Sequence, residues 1–551
     1  MTDTATGVLV VGAGPAGLTA ATGLLQQGVA VRVIDKAERP NPHAKAITLW
    51  PRALEALHRL GAAEEILDRG LALHAQNYHS GGKQVARLTF RKVGDTRFPF
   101  AVALPQQQTE EALRHRFEEL GGRIEFGVRL ASLSQDAGGV TAGVRLGEEA
   151  SEIRAGWVIG ADGAHSAVRS SIGVGYEGET YPQQFLLSDG PCETSLAPDE
   201  AHYFMTAKGV LVVVGMPGGN FRVFTSLAPD AAVSEDVRSE VQQAASERCP
   251  VPIELTGEHR TGVFRVHRKV ADRFRTDRVL LIGDAAHIHS PAGGQGLNTG
   301  IEDGATLAWR LASVVRDEAP LRTLDRWEDE RRAVARSVLD DTDLQTRLWM
   351  MKGWKRNVRD LALRAFERTG VLDRFVTPRQ TQLSLVHAGA RRGAGRLREG
   401  ARLPDVRLAA TRPLDGVAGE RLHDLLPGDR PLLLVLAADQ RDAERTAEAA
   451  EAAAALAGPG HRTVLVSTVP SPRDRSAPPV LADPVGALHA SLGVRGPTVC
   501  LVRPDAVVST VGPLADLRLI RDIVAAAPRS HPDPYGHPDP SAVRDPLAEL
   551  A

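Results

Sequence analysis

Cysteine is scarce in this sequence. Cys192, Cys249 and Cys500 are the only three in 551 residues, far apart and odd in number, so no disulfide framework is implied. No Cys-x-x-Cys pair occurs, which removes zinc-ribbon and dithiol-redox readings, and the histidines show no metal-ligand spacing. Lysine is rare too, supplying 8 of the 66 basic residues. A GC-rich genome explains that bias, so it carries no functional reading. No sign of charge dominates: the net charge is −2, which gives no indication of a nucleic-acid or membrane-surface partner. No apolar run reaches ~18 residues, so no transmembrane helix is expected. The N-terminus lacks a basic segment followed by an apolar run and a cleavage site, so no secretory leader is expected. These absences leave a cytoplasmic protein as the expectation.

What is present is ordinary in bulk, with 43% apolar and 24% charged residues. The length allows ~3 to 4 domain-sized units. Val8 to Val11 is a short apolar run, as a parallel strand buried on both faces requires. Ala16 to Gln27 reads as a helix ending at Gly28, and Val29 to Ile34 as the next strand, ending at Asp35. Residues 77–103 and 123–160 suggest further strands, with a helix from Thr109 to Leu120 between them. From about 177 to 265 aromatic and β-branched residues dominate, predicting a mostly antiparallel sheet. Arg278 to Ile282 is another buried strand, followed by a helix from Thr299 to Arg316 and helical sequence to about 395. Arg391 to Arg396 reads as a linker, and residues 400–525 carry their own strands and helices. Residues 526–551, with His-Pro-Asp-Pro at His531 and His537, read as a flexible tail.

The first strand and helix flank Gly12, Gly14 and Gly17 in the G-x-G-x-x-G spacing, with Pro15 and Ala16 inside it. The first glycine permits the turn, the second lets backbone approach a pyrophosphate, and the third allows close helix–strand packing. The helix N-terminus offers unpaired N–H groups and about half a positive charge. Asp35 ends the second strand, where its carboxylate can accept from ribose hydroxyls, with Lys36 beside it. A second match at Gly173, Gly175 and Gly178 follows a helix-like segment, so it is taken as chance.

Two later segments are distinctive. One holds Asp162, Gly163, Ser166 and Arg169; the other holds Gly283, Asp284, His287, His289, Pro291, Gly293, Gly294, Gly296, Leu297, Asn298 and Asp303. Glycines around Asn298, directly before a helix, make a backbone platform that a planar ring can approach. His287 and His289 are expected to be structural, Asp303 to cap or orient the helix start, and Cys500 to be a small buried hydrophobe. Arg169 suits loop anchoring or phosphate contact equally.

These three motifs, in this order, resemble the class A flavoprotein aromatic hydroxylases, the para-hydroxybenzoate hydroxylase-like family. The layout is most similar to aromatic-polyketide hydroxylases with a C-terminal thioredoxin-like domain. The resemblance implies an α/β chain: a Rossmann-like FAD-binding domain (1–176 and 266–395, with strands about 77–103 joining the substrate sheet), an inserted substrate sheet (177–265), and a thioredoxin-like domain (400–525). It implies FAD as cofactor, NADPH or NADH as transient reductant, O2 as co-substrate and an aromatic small-molecule substrate, hydroxylated through a flavin C(4a)-hydroperoxide. Gly12, Gly14, Pro15, Ala16 and Gly17 would face the pyrophosphate, and Asp35 the ribose. Lys36, Lys45, Gln106, Asp162, Gly163 and Asp284 would touch other parts of the cofactor. Gly296, Leu297 and Asn298 would meet the ring, with Pro291, Gly293 and Gly294 nearby. Asp35 stands where the family usually has Glu, and Lys45 where it usually has Arg, which loses a planar bidentate fork. Tyr203, Phe204, Phe221 and Phe224 are candidates for the substrate wall, against ordinary core packing.

No catalytic side chain is assigned. A halogenase is disfavoured because Trp349 and Trp354 have the wrong spacing. A Baeyer–Villiger oxygenase, a flavin reductase and a non-catalytic flavoprotein stay open, as does monomer against homodimer.

Overall fold

The computed structural model describes residues 6–40, 46–90, 93–227, 234–290, 292–387, 392–408, 420–426, 428–437, 462–467, 480–483 and 486–514. The expected tail lies outside the described residues. The chain divides into two units: residues 1–94, 98–308 and 328–383 form the first, and 95–97, 309–327 and 384–551 the second.

The first unit is built on two large sheets. In the eight-stranded sheet, Thr6–Val11 lies between Val31–Asp35 and Glu149–Gly160, parallel to both. Val8, Leu9 and Val10 are fully buried, as a strand covered on both faces needs. Helix Pro15–Gln26 makes the crossover to Val31–Asp35. The chain then continues outward to Ile124–Phe126 on that side, while Val279–Leu281 is added on the other. The order reverses at the first strand. The crevice beyond the carboxyl ends of Thr6–Val11 and Glu149–Gly160 is therefore the place for a ligand.

The nine-stranded sheet contains Ala75–Ser80, Lys83–Thr89 and the long strands Tyr176–Thr194 and Arg260–Ala271. Its pairings are antiparallel except Glu200–Thr206 against Ala75–Ser80, where Tyr203 pairs with Tyr78. Alternation gives it two apolar faces. Tyr78, Phe185, Tyr203, Val212 and Phe224 share one core, and Leu186, Phe204, Leu211, Phe221 and Val223 share another.

One element inside 177–265 departs from the expected sheet: Val237–Arg248 is a helix. Its sequence is mostly polar, and only Val241, Ala244 and Ala245 are buried, a stripe too thin to stand out. Asp236 caps it by accepting from the Ser239 N–H. The helix after Asp284 begins at Gly296, three residues before the expected start. Of the expected linker 391–396, residue 391 lies outside the described residues, while Gly393–Ala394 pairs with Leu397–Arg398 in a short hairpin, so that part is folded and not open. The second glycine motif lacks a following helix: Gly178 lies in strand Tyr176–Thr194.

The second unit carries a five-stranded sheet. Leu432–Ala437, Arg462–Ser467 and Val480–Ala482 run parallel, and Thr498–Val502 and Val508–Pro513 follow in antiparallel pairing. Cys500 is fully buried in this sheet and behaves as the expected small hydrophobe.

Candidate cofactor and substrate cavity

The glycine turn is sterically tight. Gly12 has φ +108, and a Cβ there would lie 2.3 Å from the Ala161 carbonyl oxygen. A Cβ on Gly17 would lie 2.0 Å from the Gly12 oxygen. Gly14 differs: a Cβ there meets nothing within 4 Å, because the residue faces open space at the helix N-terminus. That space is a cavity of about 760 Å³, within the range of cofactor sites. Gly14, Pro15 and Ala16 line one end of it.

Asp35 is spent on the turn. Its Oδ2 accepts from the Ala13 N–H and its Oδ1 from the Ala37 N–H, each at 2.8 Å. Asp35 and the exposed Lys36 do not line the cavity, and Lys45 lies outside the described residues. A carboxylate oxygen has a second lone pair, so this arrangement still permits a ribose hydroxyl to donate. We expect Asp35→Ala to remove charge-assisted bonds worth roughly 1.5–3 kcal/mol, an FAD affinity loss of about 10- to 150-fold. Flavin binding within twofold of the parent would show that Asp35 holds only its own turn.

Helix Gln106–Glu119 places Gln106 and Glu110 four residues apart on the cavity wall. Gln106 Nε2 donates to Glu110 Oε1 at 2.8 Å, and Gln106 Oε1 accepts from the Ala46 N–H. Burial pushes the Glu110 carboxyl up to about 7; the bond from Gln106 opposes this and the nearby Asp35 adds to it. Sequence reading passed over Glu110. The raised value means ionisation in the folded state is penalised. The penalty is absent below the ordinary value near 4.5 and complete above about 7. Glu110→Gln should therefore raise the stability of FAD-free protein at pH 8, by roughly 2 kcal/mol, and leave it unchanged at pH 4. Thermal melts at the two pH values check this.

Asp162 turns inward on its own loop. Its carboxylate accepts from the Ser166 hydroxyl at 2.5 Å and from the N–H groups of Ala167 and Val168 at 2.6 and 3.2 Å. It therefore shapes the loop while Gly163, Ala164 and His165 face the cavity. Arg169 anchors loops: it donates to the Ala164 and Ala285 carbonyls, both at 2.9 Å, and stacks on Tyr176. Of its two sequence readings, loop anchoring is the one these bonds support.

Asp284 lines the cavity directly after strand Val279–Leu281. The turn it occupies is clamped from behind by Asp303, which is fully buried. Asp303 Oδ2 accepts from the Gly283 N–H at 3.0 Å and meets His287 Nε2 at 2.6 Å. Its Oδ1 accepts from Arg331 Nε at 2.6 Å. This corrects the expected helix cap: the early helix start puts Asp303 well inside the helix. His287 is structural, as expected. His289 lines the cavity, and neither ring nitrogen has a partner among the described residues. Burial, and then His287, push its pKa well below the usual histidine range, so it is neutral.

Gly293 and Gly294 have φ of +76 and +62 and line the cavity with Gln295, Gly296 and Leu297. Asn298 does not face it. The Asn298 side chain is fully buried, accepts from the Trp50 N–H at 2.7 Å and donates to the Thr48 and Gly294 carbonyls at 2.8 Å. It fixes the platform and leaves contact to its neighbours. Trp50 Nε1 and Gln380 Nε2 hold the Gly293 carbonyl, each at 2.9 Å. Pro291 lies outside the described residues.

The far end is aromatic. Tyr203, Phe224, Phe264 and Trp349 line it with Leu187, Val212 and Val214. Phe204 and Phe221 do not; they face helix Val237–Arg248 on the opposite side, which removes them as wall candidates. Arg222 lies on the wall, held bidentate by Asp189 at 2.7 and 2.6 Å. A buried network fixes Tyr203: Gln345 donates to Tyr78, Tyr78 to Gln76, and Gln76 to the Tyr203 oxygen at 3.1 Å. Trp349 and Gln345 come from helix Arg322–Trp349, and nothing local in the sequence marks them.

The FAD binding domain family matches residues 5–342. The 6-methylpretetramide 4-monooxygenase of Streptomyces rimosus is 34% identical over 517 residues, covering 92% of this chain and 90% of its own. The pentachlorophenol 4-monooxygenase of Sphingobium chlorophenolicum is 33% identical, covering 79% of this chain and 80% of its own. Among solved structures, the OxyS anhydrotetracycline hydroxylase of Streptomyces rimosus shares 26% identity and superposes with a TM-score of 0.74, over 95% of this chain and 99% of its own. Aklavinone-11 hydroxylase, solved as a ternary complex with FAD and aklavinone, shares 26% identity at a TM-score of 0.71, over 96% and 99%.

Proposed function

The chain belongs to the FAD binding domain family and is an FAD-dependent monooxygenase of the aromatic hydroxylase type; from this premise we propose that it inserts one oxygen atom of O2 into a polycyclic, polyketide-type aromatic compound, with NADPH or NADH as transient reductant. The observation that carries the proposal is one cavity running from the glycine turn past Gly296 to the wall of Tyr203, Phe224 and Trp349. A flat cofactor and a flat substrate can then lie end to end in it. The names of the relatives, which act on pretetramide, anhydrotetracycline and aklavinone, support the substrate class.

The residues fit FAD on two counts. A Cβ at Gly14 or at Gly296 meets no protein atom within 4 Å, so both positions leave room at a helix N-terminus. When bound, FAD supplies electron acceptance from the nicotinamide and the activation of O2. Gly12 to Gly17 hold the pyrophosphate, with Asp35 on the ribose side and Gln106, Gly163 and Asp284 along the chain between the ends. Gly293 to Leu297 lie against the ring, where the positive end of helix Gly296–Val315 favours negative charge. Tyr203, Phe224 and Trp349 sandwich the substrate and keep water out. Arg222, held by Asp189 on the cavity wall, would stand as a hydrogen-bond donor beside a phenol oxygen of the substrate.

In this proposal residues 1–176 and 266–395 bind FAD, 177–265 form the substrate sheet and 400–525 are a thioredoxin-like domain without a dithiol. The strand directions of the second unit support the last point. Burial pushes the Cys500 thiol up to about 12, so it is inert and the domain is structural.

Isotopically labelled O2 given with NADPH and a panel of polycyclic phenols and quinones tests the proposal. A product one labelled oxygen heavier, with the ring skeleton intact, is expected. Ring expansion to a lactone would identify a Baeyer–Villiger oxygenase instead.

A further inference from the structure

Helix Trp354–Arg368 is packed inside out. Its only buried residues are Arg359 and Asp360, which pair with each other at 2.7 Å. Arg359 also donates to the Leu348 carbonyl and the Ser80 hydroxyl, at 2.7 and 3.0 Å. The fully buried anchor of this helix is therefore polar, with Leu363 packed partly buried against the core beside it. Its outward stripe is Trp354, Val358, Leu361 and Ala365, at the spacing of one helical face. Trp354 is 71% exposed and Leu361 69%. Phe366 on the same helix, and Phe375 and Val376 on the following turn Leu372–Val376, are exposed as well, Phe375 by 61%. Exposed aromatic and aliphatic groups of this size, aligned along one face of a helix, mark a docking surface.

Charge narrows the choice of partner. Residues 347–376 hold eight Lys and Arg against three Asp and Glu, in a chain whose net charge is −2. Asp360 is engaged by Arg359, and Glu367 by the Arg87 N–H. Lys352, Lys355, Arg364, Arg368 and Arg374 are exposed. On the helical wheel Lys355 falls on one flank of the apolar stripe and Arg364 and Arg368 on the other. Two copies docked through this face would set cation against cation. An apolar stripe between rows of long cations suits an anionic lipid surface. The rings and Leu361 enter the headgroup boundary, and the Lys and Arg stems reach back to the phosphates.

We propose that the face of Trp354, Val358 and Leu361, flanked by Lys355, Arg364 and Arg368, docks this protein on an anionic membrane surface. Attachment is peripheral, since no helix among the described residues is long and apolar enough to span a bilayer. The overall charge, which gave no hint of a membrane partner, averages this patch away. The binding does not depend on what the cavity oxidises.

The test is co-sedimentation of FAD-loaded protein with phosphatidylcholine vesicles, with and without phosphatidylglycerol. Sedimentation with the anionic vesicles alone is expected, falling as salt rises. Lys355→Glu with Arg364→Glu should weaken partitioning by about tenfold or more. Trp354→Ser with Leu361→Ser should weaken it comparably while FAD content and turnover of a dissolved substrate stay at parent values. Parent protein that remains in the supernatant with anionic vesicles overturns the proposal, as does parent-level binding by either double variant. A parent dimer that Trp354→Ser with Leu361→Ser dissociates would assign the face to a second copy instead.

Discussion

Gly14→Val is expected to fold normally and to lose FAD. Its backbone, at φ −75 and ψ 179, is extended and suits valine. A Cβ there touches nothing within 4 Å. The cost to the fold is about 1 kcal/mol at most, from a poorer helix cap. The added methyl groups project into the space that the proposal gives to the pyrophosphate at the helix N-terminus. Displacing two charge-assisted N–H bonds, at roughly 1.5–3 kcal/mol each, weakens FAD binding by about 100- to 10,000-fold. Gly17→Val is the control for mere disruption. Its Cβ would sit 2.0 Å from the Gly12 oxygen, so this variant should lose fold and FAD together. Equilibrium flavin binding, with circular dichroism on the same samples, separates the two. Full FAD affinity in Gly14→Val would remove the pyrophosphate from that space.

The second large effect concerns stability. Asp303→Ala strands Arg331, whose side chain is 2% exposed, together with His287 and the Gly283 N–H. Removing one partner from a buried ionic cluster costs about 3–5 kcal/mol, because the remaining charge stays desolvated. Domains of this kind have only about 5–15 kcal/mol in total, so the FAD-free variant should be close to unfolding. Urea melts measure this, and a loss under about 1 kcal/mol would mean that the cluster relaxes into water. The pH dependence has a definite sign. Burial alone would raise the Asp303 pKa, but His287, Arg331 and the bond from Gly283 outweigh it and hold the group at about 2. A depressed carboxylate stabilises the fold above its ordinary value near 3.8 and loses that contribution as the pH falls toward about 2. Parent protein should therefore lose stability over that interval, and Asp303→Ala should lose less.

The dinucleotide crossover was legible because every cue agreed: Val8 to Val11 as a doubly buried run, glycines at the turn, and Asp35 closing the next strand. Two errors were avoidable from the strand period alone. Tyr203 and Phe204 are adjacent in one strand, and Phe221 and Phe224 are an odd number apart, so each pair must divide between faces. Only the side was unknown, and that depends on which face helix Val237–Arg248 covers. Asp303 was misread because its role depends on where the helix begins. An N-terminus three residues earlier moves the carboxylate from a cap to the interior. Asn298 sits in the right motif, yet its side chain faces the strand Thr48–Leu49 and not the cavity. Trp349 and Glu110 were not legible as wall residues, nor Gln345 as the donor to Tyr78 behind the wall. They take these places through tertiary packing of helices whose local sequence is generic.

The most direct measurement is FAD uptake by the pure chain, followed by anaerobic reduction with NADPH and admission of O2 in the presence of a polycyclic phenol. Stoichiometric yellow protein, bleaching on reduction and substrate-dependent consumption of O2 are the predicted sequence of events. Protein that folds but stays colourless at millimolar FAD contradicts the account at its root.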